Sequence, residues 1–126
     1  MHKTAIWILV PLLFVGAVVW LIRTPGKAGP LDSFVACLKD SGTKFYGAFW
    51  CQHCQNQKAL FGSSAKRLPY IECSTPDGNS QLPICAEAGV EGYPTWQFPD
   101  GTVKTGEVPL KTLAELTQCS LPAKSQ

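Results

Sequence analysis

Two thiols separated by two residues, Cys51-Gln52-His53-Cys54, are the groups in this 126-residue chain best spaced to carry a reaction. At the start of a helix they would lie one turn apart, within reach of a disulfide. The thiolate is the reactive form of cysteine, and a helix start supplies free backbone N–H groups and a positive dipole end to stabilise it. Cys51 is therefore expected in the first turn as the more exposed sulfur, with Cys54 one turn inward. Gln52 and His53 are the residues placed to tune the pair, His53 by adding positive charge when protonated. One pKa unit corresponds to about 1.4 kcal/mol between the two protonation states. Stabilising the reduced form in this way makes the disulfide a stronger oxidant.

Two other readings compete for a CxxC. A zinc site needs four ligands, usually with a second close pair. Cys73 and Cys85 stand twelve positions apart, Cys37 and Cys119 are isolated, and the other histidine is His2. An inert structural cross-link is the remaining alternative. Thiol–disulfide exchange is the leading reading, and it calls for no cofactor and no metal.

A second element is Gly92-Tyr93-Pro94-Thr95. Taken alone, Pro94 would start a strand with an ordinary trans bond, since cis occurs in only ~5–6% of X-Pro bonds in folded proteins. Some forty residues after a strand–CxxC–helix unit, the cis form is expected instead. It would leave the Tyr93 backbone unpaired and facing the cysteines, able to hold an extended substrate strand. Trp50, beside Cys51, is expected as a shielding surface bordering that strand.

The elements that must position these residues follow from local pattern. Leu31 to Asp40 carries apolar residues at 31, 34, 35 and 38, one helical face, with Gly42 as a stop. Lys44 to Trp50 reads as a buried strand and Cys51 to Leu60 as a polar helix. Pro69 to Cys73 is a second strand, Ser74 to Ser80 a loop, and Gln81 to Ala88 a short helix. Tyr93 to Phe98 and Thr102 to Lys104 flank Pro99-Asp100-Gly101 as a hairpin, with Trp96 and Phe98 inward. Leu110, Leu113, Ala114 and Leu116 give a last amphipathic helix. Lys58 to Lys66 reads as a solvated helix face. The order, helix then β-α-β-α-β-β-α, predicts an α/β domain with a central mixed sheet flanked by helices.

This length admits one small domain and excludes a multidomain enzyme. Eleven basic against nine acidic residues is too even a balance for a nucleic-acid surface. The excess within the 45% hydrophobic content lies at one end: residues 1–22 hold seventeen of the 57 hydrophobic residues, and Ala5 to Ile22 (AIWILVPLLFVGAVVWLI) contains no charge, amide or hydroxyl. As a helix, that run would be about 27 Å long, close to the ~30 Å hydrocarbon core of a bilayer. Trp7 and Trp20 sit near its ends, as an aromatic belt would place them. A cleaved signal peptide starting at Lys3 is the alternative, but the run exceeds the usual ~7–15 residues and lacks a small-x-small site after it. The expected organisation is a membrane anchor over 1–22 (spanning about 5–22), a flexible linker over 23–30, a domain over 31–120 and a tail over 121–126. Lys3 on one side and Arg23 and Lys27 on the other leave the charge rule undecided. Six cysteines suit an oxidising compartment. The chain is thus expected as a single-pass protein of the cell membrane, its domain on the extracytoplasmic (periplasmic) side.

The element order, WCQHC and the later YPT together resemble thioredoxin. FYGAFWCQHCQNQKALFG, the YIEC strand, the cysteine before EAGVEGYPTW and the last helix are similar to the thioredoxin-like domain fused to bacterial homologues of vitamin K epoxide reductase. The likeness covers about residues 33–119. It implies that Cys51 is the sulfur that attacks or is attacked, that Cys54 resolves, and that Pro94 is cis. Two departures stand out. Many thioredoxins and disulfide isomerases carry a buried carboxylate six residues before the first cysteine; here that residue is Phe45, which leaves the proton route of Cys54 open. Glu72, on the neighbouring strand, is a candidate, against the plainer reading of an exposed or salt-bridged Glu. The quinone-coupled reductase domain of the fusion is also missing from these residues, so reoxidation is expected from a separate quinone-coupled membrane partner.

The expected activity is exchange of disulfides with thiol- or disulfide-containing protein substrates, in the oxidising direction. A reductase or isomerase of the same fold and a non-catalytic binding module are the alternatives. The other four cysteines permit three pairings. Cys73 and Cys85 are neighbours across one loop, and Cys37 with Cys119 would then staple the ends of the domain. Chain entropy gives about 3 kcal/mol for the short loop and about 4.6 kcal/mol for the long one. A relay passing electrons to the CxxC is the alternative role. Mass mapping of non-reduced peptides should recover 37–119 and 73–85; any other pairing refutes the assignment.

Overall fold

The computed structural model describes residues 2–23 and 28–123, with side chains from residue 10 onward. The linker expected over 23–30 and the tail expected over 121–126 lie partly outside the described residues. Helix α1, His2–Arg23, covers the apolar run, and Val10, Leu12, Leu13 and Phe14 on it are exposed. Among the described residues no helix is long and apolar enough to cross a membrane.

Helix α2, Asp32–Asp40, buries Phe34, Val35 and Leu38 and presents Lys39 and Asp40 outward, while Asp32 pairs with Arg67. Gly42 follows at φ +85°, a conformation that favours glycine, and the chain turns into strand β1, Lys44–Gly47. β1 is central. It pairs in parallel with β2, Tyr70–Glu72, and antiparallel with β3, Thr95–Gln97, which pairs antiparallel with β4, Val103–Thr105. The order β2-β1-β3-β4 is a mixed sheet with helices α3, Gln52–Ala59, α4, Pro83–Glu87, and α5, Leu110–Thr117, completing the domain.

The register sets up the core. Phe45 lies opposite Tyr70 on one side and Trp96 on the other. It stacks on Trp96 with ring centroids 4.5 Å apart and meets Tyr70 edge-on at 5.3 Å. Cross-strand aromatic pairs of this kind contribute beyond simple area burial. Phe61 continues the row towards Phe34, at 6.2 Å. Leu31, Leu38, Phe98, Val108 and Leu113 close the cluster.

Three local expectations need correction. The strand predicted through Trp50 ends at Gly47, because Cys51 N–H must bond Ala48 C=O to turn the chain into α3. The helix predicted through Leu60 stops at Ala59, and a 3-10 helix, Gly62–Arg67, replaces the solvated face predicted to run to Lys66. Phe61 and Ser64 there are fully buried, Phe61 against Phe34 and Ser64 accepting the Leu31 N–H at 3.1 Å. The short helix predicted from Gln81 begins at Pro83, since Gln81 instead bridges to Ser74 in extended form.

Two disulfides close the domain: Cys37–Cys119, joining α2 to the residues after α5, and Cys73–Cys85, joining the end of β2 to α4. A buried amide adds a third tie. Gln57 donates from Nε2 to Val108 C=O at 2.9 Å and accepts the Val108 N–H at 2.6 Å. Every polar atom of that side chain's amide thus has a backbone partner, which is what makes a fully buried Gln tolerable.

Candidate active site

Cys51 and Cys54 are free thiols at the junction of β1 and α3. Cys51 is the N-cap of α3, one position before the first turn where it was predicted, and its backbone is extended. Its sulfur accepts the Cys54 N–H at 3.2 Å, so one of the free amides of the helix start is aimed at the outer sulfur. Cys51 keeps 7% exposure while Cys54 has none. The outer sulfur is thus the one a large partner can reach.

Burial pushes the Cys54 thiol up to about 12, reinforced by the Cys51 side chain; the Ala48 backbone and the Lys58 charge oppose the shift. The inner sulfur therefore holds its proton at neutral pH. It is packed unusually close to the sheet: a Cβ at residue 47 would stand 3.0 Å from Cys54 Sγ and 2.8 Å from the Tyr70 ring. Gly47 is the residue that permits this approach.

Around the pair the structure brings together Trp50, Tyr93 and Pro94. The Tyr93–Pro94 bond is cis. Tyr93 packs on the cluster of Ala48, Cys51 and Cys54, and its hydroxyl accepts from Gln81 Nε2 at 2.9 Å. The Trp50 indole meets the Tyr93 ring edge-on at 5.9 Å and donates to Ser74 Oγ at 2.9 Å, leaving more than half of its surface exposed. Pro94 is buried, and its C=O accepts the Gly106 N–H at 2.8 Å. Among the described residues the Tyr93 N–H and C=O have no backbone partner.

The two residues expected to tune the pair each have a partner of their own. Gln52 bonds along its own helix, to Asn56 at 3.0 Å. His53 is exposed, and its Nδ1 lies 2.7 Å from Glu107 Oε1, an oxygen that also accepts from Asn56. Those two hydrogen bonds, His53 first, hold the Glu107 carboxyl below its usual range. His53 therefore bonds outward to a carboxylate and not to Cys51. Sequence reasoning missed Glu107, Tyr70 and Gln57. Glu107 and Tyr70 carry no spacing signal toward the cysteines, but Gln57 did: with Cys54 and Phe61 it repeats one helical face, three and seven residues apart. Glu72, a candidate by elimination, proves to be a hub, accepting from Tyr70 Oη at 2.8 Å, Ser74 N at 2.9 Å and Phe49 N at 3.2 Å.

The difference between the sulfurs has a direct readout. With the pair reduced, iodoacetamide at pH 7–8 should modify Cys51 and spare Cys54. Modification of Cys54 should rise only as pH climbs towards 12 or when the protein is unfolded. Equal labelling of both at pH 7 in the folded protein would contradict the buried-thiol geometry.

The chain is 49% identical over 89 residues to thiol-disulfide oxidoreductase LTO1 of Arabidopsis thaliana, covering 67% of this chain and 23% of that protein. It is 28% identical over 102 residues to protein disulfide isomerase-like 2-2 of Oryza sativa subsp. japonica, covering 70% of this chain and 27% of that one. The chain spans about a quarter of the length of these curated relatives. No protein-family model matches it. A mixed sheet flanked by helices, with a CxxC at the strand–helix junction and a cis proline following the tyrosine packed on it, fits a thioredoxin-like fold, and the relatives it resembles are named as a thiol-disulfide oxidoreductase and a protein disulfide isomerase-like protein.

Proposed function

We propose that the chain is a membrane-anchored disulfide donor to protein thiols, acting through Cys51 and Cys54 outside the cytoplasm. The observation that carries the reading is the asymmetry of the pair: one sulfur at the rim on a helix N-cap, the other fully buried behind it. In the oxidised form, a substrate thiolate attacks Cys51 Sγ. The Cys51–Cys54 bond breaks, Cys54 leaves with the electron pair and takes up a proton, and a mixed disulfide forms on Cys51. A second substrate thiolate then attacks the substrate sulfur of that bond, releasing Cys51 as thiolate and the substrate as a disulfide. Two electrons have moved from substrate to protein. The exposed Trp50 ring and the unpaired Tyr93 backbone supply the walls along which an extended substrate strand would lie.

The anchor rests on the uninterrupted apolar run from Ala5 to Ile22 and on the exposure of its described large side chains. The extracytoplasmic side rests on the two structural disulfides, which persist in oxidising compartments. Regeneration of the Cys51–Cys54 disulfide falls to a separate quinone-coupled partner of the vitamin K epoxide reductase kind, a reading supported by the likeness of the CxxC region to the domain fused to such reductases. One observation favours the opposite direction as a second reading. The His53–Glu107 pair reduces the net positive charge beside the helix start, which makes the couple less oxidising than the CQHC motif alone suggests.

A Cys54→Ser variant should accumulate mixed disulfides through Cys51, seen as reducible high-mass species on non-reducing gels. A non-catalytic module would trap none.

A further inference from the structure

Cys54 must lose a proton whenever it attacks a mixed disulfide on Cys51, and must regain one whenever it leaves. Position 45, where a buried carboxylate would serve, holds Phe45, fully occupied in stacking between Trp96 and Tyr70. We infer that Tyr70 and Glu72 form the proton route of the inner thiol: the phenol oxygen takes the Cys54 proton while its own proton passes to the Glu72 carboxylate.

The geometry is set by Gly47. The Cys54 sulfur and the Tyr70 hydroxyl lie 3.0 and 3.3 Å from the point a Cβ of residue 47 would occupy, so both border the same small space beside one bare α-carbon. No direct hydrogen bond joins them among the described residues, and one water in that space would bridge the thiol to the phenol oxygen. Tyr70 Oη donates its only hydrogen to Glu72 Oε2 at 2.8 Å, which leaves its lone pairs to accept from the thiol. Glu72 is fixed through Oε1 by the backbone N–H groups of Phe49 and Ser74, yet stays half exposed and can exchange its proton with solvent. Lys58 Nζ sits 3.5 Å from the centre of the Tyr70 ring, holding the ring in place by a cation–π contact and lending positive charge to the Cys54 side. Burial, with the bond to Glu72, raises the Tyr70 phenol, so it relays a proton and does not ionise.

The step balances within the chain. Cys54 S–H becomes thiolate, Tyr70 remains a phenol, and Glu72 becomes a carboxylic acid. The thiolate attacks Cys51 Sγ, the Cys51–Cys54 bond forms, and the attached group leaves as thiolate. In the donating direction, Cys54 leaves as thiolate and is reprotonated along the same route. Lys58, Cys51, Cys54 and Glu72 are the charged or titratable groups around Tyr70.

The inference rests on the exchange chemistry proposed for Cys51 and Cys54, and one experiment separates the two. The reduced full chain is mixed with 5,5′-dithiobis(2-nitrobenzoate) in a stopped-flow instrument. A first release of thionitrobenzoate reports attack by Cys51; a second, unimolecular release reports attack by Cys54. Absence of the second release in the wild type would sink the exchange reading itself. If it is present, Tyr70→Phe, which keeps the ring against Phe45 and Lys58, should slow the second phase about tenfold or more at pH 7. The first phase should stay within about twofold, and the defect should shrink as pH rises and solvent base takes over. Glu72→Gln should slow the same phase. An unchanged second phase in Tyr70→Phe, equal slowing of both phases, or slowing by one factor at every pH would overturn the relay.

Discussion

The inner sulfur rests against the sheet at a point where no side chain is possible. A Cβ on residue 47 would press on both Cys54 Sγ and the Tyr70 ring, neither of which has room to move: Cys54 is fully buried, and Tyr70 is held between Phe45, Lys58 and Glu72. That close approach fixes the height of α3 over β1. From it follow the position of Cys51 as the cap, the reach of Gln57 to both backbone groups of Val108, and the placement of Phe61 beneath the helix end. Lifting α3 to make room would break the Gln57 clamp and expose the backbone pair it satisfies, at a cost of about 1–3 kcal/mol for each group left unpaired. A pair of sulfurs with different chemistry is therefore a packing result before it is an electrostatic one.

Electrostatics then acts on a frame already set. Cys54 is kept as a thiol by loss of water, while the rim sulfur has an amide N–H aimed at it. His53 stands in the motif but bonds outward to Glu107, across 54 residues of sequence, so its influence on the sulfurs depends on a loop residue beyond β4. On the opposite side, Glu72 gathers Tyr70, Phe49 and Ser74, and Ser74 in turn takes the Trp50 indole N–H. The Trp50 ring and the neighbourhood of the inner thiol are thus joined through a single carboxylate.

The order of strands and helices was legible because it is written in local periodicity: the 31/34/35/38 face, the aromatic run before Cys51, the Pro-Asp-Gly turn. Cysteine spacing likewise singled out the reactive pair, and the pairs 37–119 and 73–85 are those the structure joins. Boundaries were less legible. A run such as KFYGAFW gives no sign that Ala48 must already turn, since that depends on where the helix has to start. The tuning of the site was hidden for a different reason. Glu107 and Tyr70 come near the CxxC only through sheet register and helix docking, and no spacing rule connects residue 53 to residue 107.

The equilibrium reduction potential of the Cys51–Cys54 couple, measured against glutathione buffers, tests disulfide donation most directly. A donor to protein thiols requires a value above about −200 mV, in the range between protein disulfide isomerase at about −180 mV and the strongest dithiol oxidants at about −120 mV. A value below that, towards the −270 mV or so of thioredoxin, contradicts donation and makes the chain a reductant.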